Sequence, residues 1–353
     1  MTVAESLRHL DAGWTEKVLR EGGHAHAAVT AVEVEAVAFT GATTDMARLR
    51  ITYAEPDAGP ASAIAKIRGV SDVQRQMDGV LGLFDREARF YRDFAGQVPV
   101  AAPRCWHVGD GDTTPLLLED LGALRMGDQM DGVSVTDAEA LMVSLAGLHA
   151  AFWGSDRLGE PWLLVHDAGL YPQLVTQLVS SGAPALRERY AGTVSDRVLD
   201  GVVEAAPKWA EILGTASSGP QTLVHNDCRL DNVFFADDGT PVLIDWQVLS
   251  RTRGTQDVAN LLAGSMDPAD LAANWERLVG LWHERLTDAG VTGYSLDEAI
   301  QHYRQNVFFP LGAGMALLGV MDIGDGRGLG DAIVTRCLRH IEDVDAFAAL
   351  EGR

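Results

Sequence analysis

The run His225-Asn-Asp-Cys-Arg-Leu-Asp-Asn232 and the following run Val242-Leu-Ile-Asp-Trp246 decide the fold of this sequence. The second run is apolar up to Asp245, which predicts a short buried strand that ends in a carboxylate. A carboxylate can accept a proton from a hydroxyl group, and carboxylate and amide oxygens are the ligands that Mg²⁺ prefers. The two runs therefore contain candidate residues for acid–base chemistry and for binding a hard cation.

Asp227, Asn232 and Asp245 are residue types that phosphoryl transfer requires. The reaction needs a carboxylate that orients and deprotonates the attacking hydroxyl, and we predict Asp227 for this role. It also needs oxygen ligands that hold Mg²⁺ against the phosphates of a nucleotide, and we predict Asn232 and Asp245 as these ligands.

In an alternative interpretation, the Asp and Asn side chains only stabilise turns, such as the one at residues 236–241. Turn chemistry, however, requires neither His225 two residues before Asp227 nor an Asp at the end of a buried strand. Asp231 and Asp237 do fit this alternative and are predicted to be solvated turn residues.

The spacing His-x-Asp-x-x-x-x-Asn and the Asp that follows it resemble the catalytic loop and the metal-binding Asp of kinases. Over most of its length the chain resembles the aminoglycoside phosphotransferase and choline kinase superfamily, and within it the ecdysteroid-kinase-like branch. The two runs quoted above are the most specific marks, the second extending to Gln247. Supporting marks are Ala63-Ile-Ala-Lys66, Arg86-Glu-Ala-Arg-Phe-Tyr91, Leu116-Leu-Leu-Glu-Asp-Leu-Gly122 and Leu145-Ala-Gly-Leu-His-Ala-Ala-Phe-Trp153.

This resemblance implies an α+β, protein-kinase-like fold with two lobes. Residues 1–119 would form the nucleotide-binding lobe, and residues 120–353 a helix-rich lobe with the catalytic loop and the acceptor site. The alternation of apolar and polar residues over 31–39, 47–53 and 62–67 agrees, because it predicts antiparallel strands in the first lobe.

The resemblance also assigns residues to the nucleotide. Lys66, in the middle of the third strand, would bind the phosphates, and Glu87 on the following helix would hold it. An exposed strand lysine and a plain hairpin at residues 41–44 are the alternatives. The other predicted nucleotide contacts, in the first turn and at the connection between the lobes, are Gly41, Thr43, Thr44, Glu119 and Leu121.

Departures from the protein-kinase pattern point to a small acceptor. His225-Asn-Asp lacks the arginine that reads a phosphorylated activation loop, Asp245-Trp-Gln replaces Asp-Phe-Gly, and no Ala-Pro-Glu follows. In relatives that phosphorylate amines, aromatic and acidic side chains of the helical lobe line the acceptor pocket. Candidates for such a cation–π and carboxylate cage are Trp153, Trp246, Tyr303, Phe308, Phe309, Asp322 and Asp325, although each is also typical of a core or turn.

The composition restricts the partners. A net charge of −22, from 50 acidic and 28 basic residues, repels nucleic acid and anionic membranes, and is compatible with a cationic substrate. No apolar signal segment is expected among the charged first twenty residues, and the longest apolar run, 308–321, is too short to span a bilayer. Three scattered cysteines indicate reduced thiols in the cytoplasm.

The sequence thus predicts an enzyme that uses Mg²⁺ to transfer the γ-phosphoryl group of ATP, or GTP, to a hydroxyl of a small molecule. The first predicted acceptor is a cationic amino alcohol or aminoglycoside. A neutral hydroxylated metabolite, such as a sugar or a sterol, is the alternative acceptor. A nucleotide-binding pseudokinase is the third hypothesis for the protein. No obligate protein partner is expected.

Overall fold

The computed structural model describes residues 7, 10–37, 43–319 and 328–352, which form two compact units. Unit 1 comprises Met1–Gln97, Ala102–Leu124 and Ile244–Val248, and unit 2 comprises Val98–Ala101, Arg125–Leu243 and Leu249–Arg353.

The chain is therefore not divided by a single boundary between residues 119 and 120. Asp120 belongs to unit 1, where its carboxylate lies 2.7 Å from the Arg48 guanidinium. Trp246 also belongs to unit 1, because its ring stacks on that of Phe90. Contacts between residues far apart in sequence decide both assignments.

Unit 1 contains a five-stranded sheet in the spatial order β1-β2-β3-β5-β4, in which all neighbouring strands are antiparallel. The predicted antiparallel sheet is thus confirmed. Its strands are β1 (Val29–Ala36), β2 (Thr44–Tyr53), β3 (Ser62–Arg68), β4 (Cys105–His107) and β5 (Leu116–Glu119). The helices of unit 1 are α1 (Ala12–Glu21), α2 (Asp72–Leu81) and α3 (Leu83–Arg89), the last continuing into a π-helical turn at Phe90–Phe94.

One face of this sheet forms an apolar core with α1. Ala63 and Ala65 of β3 pack there with Leu49 of β2 and with Leu19 of α1, and all four side chains are fully buried. Because side chains alternate between the faces of a strand, Lys66 lies on the opposite face. The period of β3 thus separates a hydrophobic face from the face that carries its two charged residues, Lys66 and Arg68.

Unit 2 is rich in helices and has two three-stranded sheets, ordered β10-β9-β6 and β7-β11-β8. Its strands are β6 (Arg125–Met126), β7 (Leu164–Val165), β8 (Thr222–Val224), β9 (Val233–Phe235), β10 (Pro241–Leu243) and β11 (Ser250–Thr252). Its first helices are α4 (Val135–Ala151), α5 (Tyr171–Gly182), α6 (Leu186–Arg189), α7 (Asp196–Ala205) and α8 (Trp209–Ser217). The later ones are α9 (Thr255–Ser265), α10 (Pro268–Asp288), α11 (Leu296–Asn306), α12 (Phe308–Gly319), α13 (Leu329–Asp343) and α14 (Ala346–Leu350).

The core of unit 2 lies between these helices. Helix α4 packs on α10, α9 on α11, and α12 on both α5 and α13. The largest fully buried side chains there are Trp209, Trp282, Tyr303 and Phe308. Helix α9 is buried along its whole length, which places it at the centre of the unit.

Helix α4 begins earlier than the sequence pattern predicts. The pattern Thr136-x-x-Glu139 is typical of a capping box, but the N-cap is Ser134. Ser134 has an extended backbone, and its side chain accepts a hydrogen bond from the backbone N–H of Asp137. Ser134 therefore already satisfies a donor of the first turn, and Thr136 lies inside the helix.

The apolar run at 308–321 forms α12 up to Gly319, and the rest of it lies outside the described residues. Within the described ranges, no helix has both the length and the apolar character needed to cross a bilayer.

We expect Ser295→Ala to lower the free energy of unfolding by about 1 kcal/mol, because it removes the N-cap of α11. The Ser295 side chain accepts from the N–H of Glu298, and the Glu298 side chain accepts from the N–H of Ser295. Urea unfolding at an unchanged m-value is the measurement. Ser181→Ala is the matched control, since its exposed hydroxyl bonds only to a carbonyl of its own helix. Equal stability of the two variants would contradict the prediction.

Candidate active site

Lys66 lies between two carboxylates. Its ammonium is 2.7 Å from Glu87 Oε2 and 2.8 Å from Asp245 Oδ1, and the lysine is only 4% exposed. Burial by itself would lower the pKa of Lys66, but the negative charges of Asp245 and Glu87 outweigh burial and raise this pKa above its ordinary value. The ammonium therefore stays charged, and strand β3, helix α3 and the segment after β10 meet at it.

The segment 244–248 is fixed by α3 and the π-helical turn. The Trp246 ring stacks on Phe90 with 3.9 Å between centroids and 7° between planes. The Arg86 guanidinium donates to the Gln247 carbonyl oxygen over 2.8 Å. Asp245 itself has a left-handed backbone with φ of 65°, which is uncommon for residues other than glycine. These contacts hold a strained residue in place, as often occurs at functional sites.

The turn that carries the predicted nucleotide contacts Gly41, Thr43 and Thr44 lies only partly within the described residues. Gly41 lies outside the described residues. Thr43 and Thr44 are buried, and the Thr43 hydroxyl donates to Gln247 Oε1 over 2.8 Å. Within the described part of the chain, the buried Thr44 hydroxyl has no hydrogen-bond partner.

The two residues predicted at the connection between the lobes differ in how they are placed. Glu119 pairs with Ala63 of β3, so its side chain lies on the face of the sheet opposite Lys66. There its Oε2 accepts from the N–H of Arg104 over 2.9 Å. The Leu121 carbonyl accepts from the N–H of Leu124, and no described residue accepts a hydrogen bond from the Leu121 N–H.

Asp227 and Asn232 are in direct contact in unit 2. The Asn232 amide nitrogen donates to Asp227 Oδ2 over 2.9 Å and to the Asp227 carbonyl over 3.0 Å. Asn232 ends a single 3₁₀ turn, Leu230–Asn232, and is 4% exposed. The five-residue spacing thus forms a closed loop in which the amide orients the carboxylate. Asp231 has a separate contact, since it accepts from the N–H of Gln129.

The backbone of this loop is held by Asp257 in the first turn of α9. The N–H groups of His225 and Asn226 donate to the two Asp257 oxygens over 2.8 and 2.7 Å. His149 Nε2 is 3.2 Å from Asp257, and His149 Nδ1 accepts from the Trp282 indole N–H. Because Nδ1 accepts, Nε2 carries the proton and donates to Asp257. His149 is therefore a buried histidine that supports the loop.

Buried hydrogen bonds also control the charge of Asp257. Burial opposes ionisation, but the bonds from His149 and from the Asn226 N–H lower the pKa of Asp257 below its ordinary value. An ionised Asp257 accepts these bonds more strongly than a neutral one would.

The aromatic residues predicted to form an acceptor cage contact different partners. Trp153 lies beside Tyr294, and Trp246 stacks on Phe90. Three others are buried: the Tyr303 hydroxyl is 2.7 Å from His340 Nε2, Phe308 packs on Trp209 and Phe347, and Phe309 stacks on His166. Asp322 and Asp325 lie outside the described residues.

Sequence reasoning missed three residues next to these groups. Arg86, Gln256 and His166 are all buried. Arg86 opens the run Arg86–Tyr91 quoted above but was given no role there, and Gln256 and His166 belong to no motif with a recognisable spacing. The only local signal is Asn226, since Asn is enriched in the left-handed conformation that this residue adopts.

The chain is similar to known proteins in sequence and in fold. Residues 73–289 match the model of the phosphotransferase enzyme family. A proposed aminoglycoside phosphotransferase from Ralstonia eutropha JMP134 superposes with a TM-score of 0.56 at 15% identity, covering 95% of this chain and 98% of that one. Choline kinase from Cryptosporidium parvum superposes with a TM-score of 0.52 at 11% identity, and the superposition covers 90% of each chain. The streptomycin–ATP complex of the phosphotransferase APH(2″)-IIa superposes with a TM-score of 0.53 at 15% identity, covering 94% of this chain and 99% of that one. None of the curated protein sequences matches the chain.

At such identities the structural likeness shows a shared fold, so the predicted protein-kinase-like α+β fold is confirmed. The family match confirms the predicted class of enzyme, a phosphotransferase. Because this match extends over more than half of the 353 residues of the chain, the chain belongs to the phosphotransferase enzyme family.

Proposed function

We propose that the protein transfers the γ-phosphoryl group of ATP, or GTP, to a hydroxyl group of a small molecule. The observation that supports this most directly is the buried Lys66 between Glu87 and Asp245. Lys66 and Glu87 are buried and Asp245 is half-buried. Burying an ion costs on the order of several kcal/mol in lost hydration, so such a cluster gives little net stability. A fixed cation that binds phosphates explains why the chain keeps it.

In this reaction the residues of unit 1 bind the nucleotide. Lys66 donates to the α- and β-phosphates, and Glu87 orients Lys66 from α3. Thr43 and Thr44 contact the phosphates from the start of β2, and the Thr44 hydroxyl supports this role because it has no hydrogen-bond partner among the described residues.

The nucleotide base is bound by backbone groups near the end of β5. The Leu121 N–H suits this role, since no described residue accepts a hydrogen bond from it. Glu119 contributes through its backbone, because its side chain lies on the other face of the sheet. Backbone groups can bond to adenine or to guanine, so this kind of recognition is compatible with both ATP and GTP.

Asp227 is the general base. Its carboxylate accepts a hydrogen bond from Asn232 and lies 3.4 Å from the Arg229 guanidinium. These contacts orient the carboxylate, so that it can align the acceptor hydroxyl and take its proton as the phosphoryl group is transferred.

The donor atoms of Asn232 and Asp245 fit Mg²⁺. The Asn232 amide nitrogen is engaged with Asp227, which directs its oxygen elsewhere, and that oxygen accepts no hydrogen bond from the described residues. Asp245 supplies a carboxylate. Amide and carboxylate oxygens are the hard ligands that Mg²⁺ takes in phosphotransferases. Among the described residues, no group of three or more His, Cys, Asp or Glu side chains is arranged so that it could hold a metal ion by itself. When bound, Mg²⁺ neutralises charge on the phosphates.

For the acceptor, we propose a cationic amino alcohol or aminoglycoside. The net charge of −22 supports this, since the field of the protein attracts cations and repels anions. One observation favours a neutral hydroxylated metabolite instead. The buried rings of Trp246 and Tyr303 are packed against other aromatic side chains, so they offer no free face to an ammonium group.

A cytoplasmic location fits this function, because ATP is the proposed donor. Cys105, Cys228 and Cys337 are all free thiols, which supports a reducing compartment.

Replacing Asp227 by Asn should lower kcat by roughly 10²–10⁴-fold while the affinity for ATP stays near that of the wild type. The variant keeps the shape of the side chain and loses only the proton acceptor. Steady-state kinetics and nucleotide titration are the measurements. Asp237→Asn, which makes the same change in an exposed turn, is the control and should keep full activity. A kcat above a tenth of the wild-type value would remove Asp227 from the role of base.

Asp245→Ala should abolish turnover with Mg-ATP, and Asn232→Ala should weaken it, because each variant loses an oxygen ligand of the metal. Chelation by EDTA should stop the wild-type enzyme, and added Mg²⁺ should restore it. Full activity of the wild-type enzyme in excess EDTA would contradict the whole phosphotransferase mechanism.

An amine-bearing alcohol should be phosphorylated with a higher kcat/KM than its neutral isostere. The difference should shrink as salt rises, since screening acts over about 10 Å at 0.1 M ionic strength. An ADP-release assay on matched acceptor pairs at several salt concentrations measures this. Equal efficiency for both members would refute the cationic acceptor and favour the neutral one.

A further inference from the structure

Helix α9 holds Asn226, the residue before the proposed base, at three points. The Asn226 N–H donates to Asp257, its carbonyl accepts from the Asn260 amide over 3.4 Å, and its side-chain oxygen accepts from the Gln256 amide. The backbone of Asn226 is left-handed, with φ of 73°. This conformation is unfavourable for residues with a side chain, although less so for Asn than for most.

Gln256 is in turn held by His166. The Gln256 amide nitrogen lies 3.1 Å from His166 Nδ1 and donates to Asn226 as well. An amide nitrogen only donates, so His166 Nδ1 accepts and its proton is on Nε2. The His166 ring is packed between Tyr171 and Phe309, with centroid distances of 4.9 and 5.4 Å. His166, Gln256 and Asn226 form a buried chain that ends next to Asp227.

This buried series of hydrogen-bonded side chains lowers the stability of the folded protein. His166 is fully buried and Gln256 is 1% exposed. Within the described residues, His166 Nε2 and Gln256 Oε1 have no hydrogen-bond partner, and such buried groups are destabilising. Burial also lowers the pKa of His166 to about 4, so the imidazole is neutral and adds no charge attraction at physiological pH. An apolar trio would pack here without these penalties.

We propose that His166 and Gln256 are positioning residues of the phosphoryl-transfer site. Through the Asn226 side chain they fix the left-handed turn from which the chain enters Asp227, and so they set the direction of its carboxylate. The catalytic consequence rests on the proposed role of Asp227 as the base. Because these residues act on the acceptor side of the reaction, they affect kcat and leave nucleotide binding unchanged.

The decisive variant is His166→Phe, which keeps a ring between Tyr171 and Phe309 and removes the acceptor for Gln256. Misplacement of a catalytic group by a fraction of an ångström reduces rates steeply, so we expect kcat to fall roughly 10-fold to 100-fold. The KM for ATP should stay within about two-fold of the wild-type value, since only acceptor-side geometry changes. Gln256→Met, which is nearly isosteric and makes no hydrogen bond, should give the same pattern if His166→Phe does not fold.

The matched control is His340→Phe. His340 is also buried, and its Nε2 lies 2.7 Å from the Tyr303 hydroxyl. Its Nδ1 has no hydrogen-bond partner among the described residues. This variant should keep the wild-type kcat whatever it does to stability. A loss of kcat equal to that of His166→Phe would show a general effect of removing a buried histidine and would overturn the proposal.

A double-mutant cycle with Asn226→Gly tests the route of the effect. Glycine accepts the left-handed backbone but has no side chain for Gln256 to hold. In the Asn226→Gly background, His166→Phe should therefore change kcat no further. Multiplicative losses in the double variant would mean that His166 does not act through Asn226, which overturns the proposal.

Hydrogen exchange separates this proposal from the proposed function. In His166→Phe the backbone N–H groups of His225 and Asn226 should exchange faster than in the wild-type protein, whether or not a phosphoryl acceptor is known. Unchanged exchange overturns the anchoring itself. If exchange accelerates while Asp227→Asn leaves kcat intact, the anchoring holds and the assignment of the base is what fails.

Discussion

The buried ammonium of Lys66 is the charge on which the site in unit 1 depends. It is compensated by Glu87 from α3 and by Asp245 from the segment after β10, both within 2.8 Å. Removing Lys66 would leave the two carboxylates without a counter-charge in a region of low dielectric constant. The Trp246–Phe90 stack and the bond from Arg86 to the Gln247 carbonyl hold the two carboxylate-bearing segments together, so packing maintains an electrostatic arrangement that is not stabilising by itself.

The loop at residues 225–232 of unit 2 is organised around a buried negative charge, the carboxylate of Asp257. It accepts from two consecutive N–H groups of the loop and from His149, whose other nitrogen accepts from Trp282. These bonds fix the loop that carries the proposed base, Asp227. Such preorganisation lowers the cost of reaching the transition state, because polar groups need not reorient during the reaction.

Four described residues other than glycine have a positive φ, and at two of them the unfavourable backbone coincides with a proposed functional role. Asp245 and Asn226 have φ values of 65° and 73°, and each lies at or beside a carboxylate of the proposed mechanism. Glycine would relieve the backbone at both positions, but it has neither a carboxylate nor an amide to offer. The surrounding hydrogen bonds offset the strain, which is how an unfavourable local conformation persists in a stable protein.

The sequence by itself determined the residue types of the site and the sheet that carries Lys66. Asp227 and Asn232 lie in one loop, and apolar and polar residues alternate along β3 with a period of two. Both features can therefore be predicted from a short stretch of sequence. Only the tertiary structure decided that Trp246 belongs to unit 1, that the predicted cage aromatics pack on other side chains, and that His166 reaches Asn226 through Gln256. His149 and Asp257 are 108 residues apart, and Gln256 and His166 are 90 apart. No local period encodes contacts at such separations, because they exist only after helices and strands have packed around them.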